Sequence, residues 1–540
     1  MDAQLVELTS LDIGVLLAYV LLLIGIGIYV SYRRRNEDDQ FLGGRSFGWF
    51  NVGLSIFGTN ISPSFLIASA SAAYATGMVT ANFEWLAWPF LMLLAMVFAP
   101  HYLKMRIGTM PQFMRKRFGS SPATFLSFYA LLSTVVLWLG GALYAGGKLL
   151  SQILDWPLPA SVFALIFVAT FLTVAGGLAV VIVTDTFQSI LMLLGAGLLS
   201  VLALHEAGGL SKVLEMVPPD RWTLLRSASD PDYPWYAILL GYPVLGIWFW
   251  CTDQTIVQRV LGAKNLRQGQ LGAQFAGFLK ILTPLVFTIP GFVCFVLHPD
   301  LGDADKAFMT MVGTYMPAGV VGLIVAVLIA ALISTVDSGL NSFSTIYTLD
   351  IHKRWIQPRA TPHQLKFVGR VVTILIAAAS MGIALSMAKS DKNLFDLLQS
   401  IIAYFAPPMA SVFLIGILWK RSTKTAAMVT LCGGSAISLG VGLVDFFKGP
   451  LTEWLGREIV LPHFLLTSFL LFALLCVVMI VTSLLTRHSE DEGELCSFRE
   501  AHAEVGAAGT RKVWLGWAIL AAIMLGIYLL FNLMPILLVK

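Results

Sequence analysis

The sequence predicts an all-α polytopic membrane protein with about fourteen transmembrane helices, and three observations carry the prediction. Of 540 residues, 57% are hydrophobic and only 12% are Asp, Glu, Lys or Arg, about half the charge of a soluble domain. The hydrophobic residues come in runs of about 20 or more, the length of helix that crosses a bilayer. The basic residues collect in alternate gaps between those runs, as the bias towards one membrane face requires. Nucleic-acid binding, a disulfide scaffold and soluble catalysis fit such a chain poorly. The net charge of +4 reflects loop charges whose sign topology sets.

Taken in order, the spans fall near 11–32, 47–76, 79–106, 121–152, 158–176, 178–206, 234–258, 271–298, 314–352, 364–388, 394–419, 425–447, 460–486 and 513–538. The opening residues Met1 to Glu7 lack the basic start and cleavage site of a signal peptide, so the first run is expected to stay in the membrane. Most of the 35 Lys and Arg, from Arg33 through Arg259 to Lys512, fall in gaps that are internal if the N-terminus is outside. That pattern favours both termini outside a plasma (inner) membrane and an even number of crossings. Cys251, Cys294, Cys432, Cys476 and Cys496 form no CxxC pair and read as small core residues rather than metal ligands.

Two gaps are sizeable. The outer one, 207–233, is mixed in charge, and the inner one, 487–512, carries the acidic run Glu490, Asp491, Glu492 and Glu494 and is expected to be partly disordered. Neither can house an enzyme domain, and no GxxxxGK[ST] occurs. A secondary transporter, a channel, an intramembrane enzyme or a receptor remain.

The second span is interrupted by Gly58-Thr59-Asn60-Ile61-Ser62-Pro63-Ser64 and the seventh by Gly241-Tyr242-Pro243-Val244-Leu245-Gly246. Such breaks free backbone groups that lipid cannot satisfy, and they survive where they line a polar cavity, although proline and glycine kinks are also common in membrane helices. Spans two and seven cross in opposite directions, and paired interruptions in opposed halves point to an inverted-repeat transporter with its site near the midplane. In the ninth span, Ser334, Asp337, Ser338, Asn341, Ser342 and Thr345 recur at spacings of three and four, on one helical face. Small residues on one face can serve helix packing. A carboxylate among them must look into the protein, and hydroxyls with carbonyls suit a small hard cation. Glu84, Asp185, Asp253 and Lys280 are further ionisable residues in or at the ends of spans. Asp253 reads as structural, near the inner surface and paired with a basic loop residue.

At these residues the chain resembles the sodium/solute symporter family, most closely its sodium/glucose cotransporter branch. The matching blocks are Phe41-Leu42-Gly43-Gly44-Arg45-Ser46, Thr59-Asn60-Ile61-Ser62, Phe83-Glu84-Trp85, Trp248-Phe249-Trp250-Cys251-Thr252-Asp253-Gln254 with Gln258-Arg259, and Leu279-Lys280. They continue with Asn341-Ser342-Phe343-Ser344-Thr345, Asp350-Ile351-His352-Lys353 and Phe395-Asp396-Leu397-Leu398-Gln399 with Tyr404, Pro407 and Pro408. The resemblance implies one membrane domain over 1–540 built on a LeuT-like core of two inverted five-helix repeats, about 47–206 and 234–419. Flanking helices then lie at 11–32, 425–447, 460–486 and 513–538. It also implies sodium-coupled alternating access, with Na+ the coupling ion and no organic cofactor.

Carried over residue by residue, the resemblance places the main sodium site at the Gly58, Ile61 and Ala331 carbonyls and the Ser334 and Thr335 hydroxyls. A second sodium site would use Asp185, Ser334, Asp337 and Ser338. Asp337 stands where relatives usually have a hydroxyl residue, and two close carboxylates call for a cation or a proton between them. The implied outcome is either a tighter second sodium site or a proton-sensitive one.

Sugar-carrying relatives hold hydroxyl groups with residues matched here by Glu84, Lys280 and Gln399, an acceptor, a donor and an amide that does both. Asn60 adds a polar contact, and Trp248 and Phe249 can pack on a ring face. Phe65 replaces a His or Gln and Phe249 a Tyr, so the pocket rim is more apolar. The expected solute is a sugar or polyol, or a less polar deoxy sugar. A non-sugar metabolite, or a membrane sensor or channel-like protein on the same scaffold, are the alternatives. The eight scattered histidines form no HExxH, which argues against an enzyme.

Overall fold

A computed structural model describes residues 8–33, 41–61, 63–230, 232–387, 394–448, 452, 456, 460–488, 493 and 495–538, without the side chains of 63–68, 137, 152, 305, 387, 394–400 and 535–538. Among the described residues there is no β-strand, only isolated bridges such as Phe47 with Ala263. Twelve helices among them are long and apolar enough to cross a membrane. That count differs from fourteen at two places. The second expected span is split by a break, and the fifth and sixth are counted together because they join directly, with no loop, across a kink at Gly177.

The first helix, α1 (Ser10–Arg33), carries a buried carboxylate at its start. The Oδ1 atom of Asp12 accepts the backbone N–H groups of Gly319 at 2.7 Å and Gly322 at 2.6 Å. Helices α2 (Trp49–Asn60) and α3 (Pro63–Ala75) are the two halves of the broken span. Ile61 leaves the helix with φ −83° and ψ 101°. Pro63 cannot donate a helical hydrogen bond and disfavours helical geometry in the residue before it, but suits the first position of a new helix. The break expected at 58–64 is therefore present. The short helix α4 (Asn82–Trp85) carries Glu84.

Helix α5 (Leu158–Glu206) has 49 residues, about 70 Å at the helical rise, more than twice a bilayer core. It breaks at Gly177, whose φ of 56° and ψ of −147° lie where only glycine sits without strain. The expected boundary between 158–176 and 178–206 falls on this residue.

Helix α6 (Trp235–Gly246) corrects an expectation, because it passes through Pro243 unbroken. A Cβ on Gly241 would lie 2.3 Å from the Leu465 carbonyl oxygen, and one on Gly246 would lie 2.4 Å from the Phe90 ring. These glycines admit close neighbours rather than a break. The widened turn Ile247–Thr252 follows, and the chain leaves helical geometry at Asp253, φ −72° and ψ 131°. Asp253 then caps α7 (Gln254–Leu261) by accepting the Thr255 N–H at 2.8 Å. Its other partners are the Thr255 hydroxyl and the Trp138 indole N–H, and among the described residues no basic loop residue bonds it, contrary to expectation.

Helices α8 (Leu266–Phe287), α9 (Val320–Ile346) and α10 (Leu394–Leu418) complete the elements around the site. In the inner segment 487–512, the acidic run Glu490, Asp491, Glu492 and Glu494, where disorder is expected, lies outside the described residues. Ser497 and Glu500 form a reciprocal cap on the helix Phe498–Ala501, and the last helix starts at Gly506 rather than near 513. The buried Arg117 guanidinium joins this segment to the end of α10, donating to the carbonyls of Gly416, Lys420 and Gly493. All five cysteines are free thiols.

Candidate functional site

Two ion pairs among the described residues have both side chains almost wholly buried, and both meet the broken helix. The first joins α5, α7, α9 and α2. Asp185 Oδ2 lies 3.3 Å from the Arg259 guanidinium, with both side chains fully buried. The same oxygen accepts the Ser55 hydroxyl at 2.6 Å, and Oδ1 accepts the Ser334 hydroxyl at 2.6 Å. Arg259 also donates to the Ser338 hydroxyl, the Thr255 carbonyl and, at 3.3 Å, to Ser55 Oγ. Thr59 bridges α2 to this group, 3.3 Å from Ser338 Oγ.

Of the polar stripe of α9, Ser334 and Ser338 bond within this cluster, whereas Ser342 and Thr345 meet Gln258 of α7. Ser334, Asp337, Ser338, Asn341, Ser342 and Thr345 are all buried. Asp337 Oδ1 accepts the Ser338 hydroxyl at 3.3 Å, whereas its Oδ2 is buried with no hydrogen-bond partner. Thr335 donates to the Ala331 carbonyl at 3.0 Å. Gly58 lies hard against the crossing, since a Cβ there would come 2.3 Å from Ser189 Oγ and 3.5 Å from Ser334 Oγ. The last turn of α2, where helical carbonyls lose their intrahelical partners, thus faces the hydroxyl of Ser334. This donor set is all oxygen, which suits a small hard cation and not a soft metal.

The second pair meets the last residue of α2. Lys280 of α8 donates to both Glu84 Oε2 of α4 and Asn60 Oδ1 at the end of α2. Trp250 and Phe57 turn ring faces towards its ammonium, with centroids 5.2 and 5.7 Å away. Trp85 fixes α4 on α8 by donating its indole N–H to the Ile281 carbonyl at 3.1 Å. Trp248 is buried, while Phe249 is half-buried between Trp138 and Trp250, with ring centroids 5.4 and 4.8 Å apart.

Of the expected solute residues, Glu84, Lys280 and Asn60 come together, with Phe249 and Trp248 on the same turn as Trp250. The side chains of Gln399 and Phe65 lie outside the described residues, although α10 and α3 contain their backbones. Sequence reading missed Arg259, assigned to an inner loop but fully buried, together with Ser55 and Trp250. Gln254 with Gln258, and Thr255 with Arg259, stand four apart, the mark of a helix with a polar buried stripe.

Comparison with known proteins agrees with this architecture. The profile of the sodium:solute symporter family matches residues 40–434. Sodium/glucose cotransporter 2 of Rattus norvegicus is 35% identical over 484 residues, covering 81% of this chain and 72% of the relative. Sodium/glucose cotransporter 4 of Homo sapiens is 32% identical over 529 residues, covering 90% and 78%. In fold, the chain is similar to a Na+-coupled sialic acid symporter solved in a substrate-bound outward-open state, with a TM-score of 0.77 at 22% identity over 90% of this chain and all of that one. A nucleobase-cation-symport-1 family transporter in a closed conformation aligns with a TM-score of 0.55 at 16% identity, over 86% and 97%. The fold is therefore LeuT-like and the relatives are secondary active transporters rather than enzymes. A multi-pass helical chain with a broken helix at a buried oxygen cluster, matched over most of its length, belongs to the sodium:solute symporter family.

Proposed function

We propose that this protein is a sodium-coupled symporter importing a small neutral polar solute, a sugar or polyol, by alternating access between inverted repeats at about 47–206 and 234–419. The observation that carries the solute reading is Lys280, held between Glu84 and Asn60 where α2 ends. The pair is neutral as a whole and offers donors and acceptors together, which suits hydroxyl groups better than an ionic ligand. The family resemblance adds Gln399 to the polar anchors and Phe65 to the apolar residues Trp248 and Phe249, which together favour a less polar sugar. The relatives named for glucose carry a neutral polyhydroxylated solute, in keeping with this chemistry.

Sodium binds between the end of α2 and α9, at the Gly58, Ile61 and Ala331 carbonyls and the Ser334 and Thr335 hydroxyls. Weak neutral oxygen ligands let an ion bind and leave within one transport cycle. Both termini face outside the plasma membrane, following the distribution of basic loop residues. Uptake of labelled hexoses and inositol into proteoliposomes, with sodium or choline outside, tests this reading. Sodium-dependent uptake is expected, and Lys280→Ala and Glu84→Ala should abolish it. Undiminished uptake in both variants would rule out this pocket.

A further inference from the structure

Glu84 sits in a helix of four residues, α4 (Asn82–Trp85). A single turn cannot hold its own orientation, because so short a helix is stabilised by the contacts made to it. The structure supplies a contact at each of the other three residues. The Asn82 side chain is fully buried and makes three hydrogen bonds. Its Nδ2 donates to the carbonyls of Val79 and Leu224, both at 2.7 Å, and its Oδ1 accepts the Tyr528 hydroxyl at 2.6 Å. The Phe83 carbonyl accepts the Tyr242 hydroxyl of α6 at 2.6 Å. Trp85 donates to the carbonyl of Ile281, which follows Lys280, and its ring centroid lies 5.2 Å from that of Phe531.

Tyr528 and Phe531 belong to the last helix (Gly506–Leu538), which lies outside both proposed repeats. Much of that helix is exposed apolar surface, as at Leu525, Leu529, Leu530 and Leu533. Tyr528 and Asn532 stand four apart, on one face of it. Asn532 donates to the Tyr528 carbonyl at 2.8 Å and accepts the Leu225 N–H at 3.0 Å. A polar side chain in an apolar span is costly unless it bonds to a neighbour, and both of these do so around Asn82.

We propose that Tyr528 is a positioning residue for the solute site: through Asn82 it fixes the orientation of α4, and with it the approach of Glu84 to Lys280. The proposal rests on the solute reading above. Without the hydroxyl, Asn82 Oδ1 is buried with no donor, and α4 loses its direct hydrogen bond to the last helix. The proposed sodium ligands on α2 and α9 bond none of these residues, so sodium binding is left as it was.

The test uses the full-length protein with Tyr528→Phe, which keeps the ring, and Asn82→Ala. For sodium-dependent uptake of labelled glucose or inositol, Tyr528→Phe should raise KM about three- to ten-fold. The maximal rate and the sodium concentration for half-maximal uptake should not change. The double variant should be no worse than Asn82→Ala, since the hydroxyl acts through that amide; if Asn82→Ala does not fold, Tyr528→Phe decides alone. A second readout needs no solute. Reductive methylation of Lys280, followed by mass spectrometry, should be several-fold faster in Tyr528→Phe, because a lysine held less firmly by Glu84 reacts more readily. Leu529→Ala, exposed on the same helix, should change neither readout. An unchanged KM or an unchanged labelling rate overturns the proposal, even if Tm falls, since a lower Tm alone is lost packing. If wild type takes up neither compound with sodium, the solute reading fails, and the labelling rate still decides whether Tyr528 positions Glu84.

Discussion

The two buried ion pairs are alike in burial and opposite in design. Asp185 and Arg259 are held by directed hydrogen bonds from Ser55, Ser334 and Ser338, and by the Thr255 carbonyl. Glu84 and Lys280 have one amide, Asn60, and two aromatic faces around them. An ammonium is a compact charge with rotatable donors, so it can pass from one acceptor to another without rearranging its surroundings. The first pair is built to stay and the second to exchange partners, which is what a fixed charge and the proposed solute anchor respectively require.

The largest effect should come from splitting the exchanging pair. Glu84→Ala strands a buried ammonium and should cost about 3–5 kcal/mol, measured by thermal unfolding in detergent. The double variant Glu84→Gln, Lys280→Met should recover most of that stability while transport stays absent, separating fold from recognition. A double variant as unstable as the single one would show that packing, not charge, explains the loss.

A smaller effect is expected from the fixed pair. Ser55→Ala removes one hydroxyl from Asp185 and should lower stability by about 1–2 kcal/mol, with solute KM unchanged. A change in solute KM instead would mean that the two pairs are not separate devices. Smallest is Trp250→Phe, which weakens the aromatic face on Lys280 by about 0.5–1 kcal/mol and should raise solute KM about two- to five-fold without altering sodium dependence.

How far the sequence could be read depended on contrast. The α9 stripe and Lys280 were legible because a charge inside an apolar run has few explanations. Arg259 was hidden by its company, since Gln254, Thr255, Gln258, Lys264 and Arg267 give that stretch the composition of a loop. In the fold all eight residues of α7 are buried. The interruption of the seventh span was misplaced for a related reason. Gly241, Pro243 and Gly246 look like breakers, but the glycines serve contact with Leu465 and Phe90, and helicity ends only at Asp253. Local composition does not reveal which neighbour a glycine must admit. The break at Asn60 was easier, because Pro63 follows within three residues and leaves little helical alternative.

The grip of Asp12 on Gly319 and Gly322 has a mechanical consequence. Helix α1 belongs to neither proposed repeat, yet it is bolted to the first turn of the helix that carries Ser334 and Thr335. Any stroke that draws those hydroxyls away from the end of α2 must either tow α1 through the lipid or shear two short bonds. The first turn of α9 is thereby a fulcrum rather than a free arm, and the bending has to be done by its partner, the jointed rod of α2 and α3.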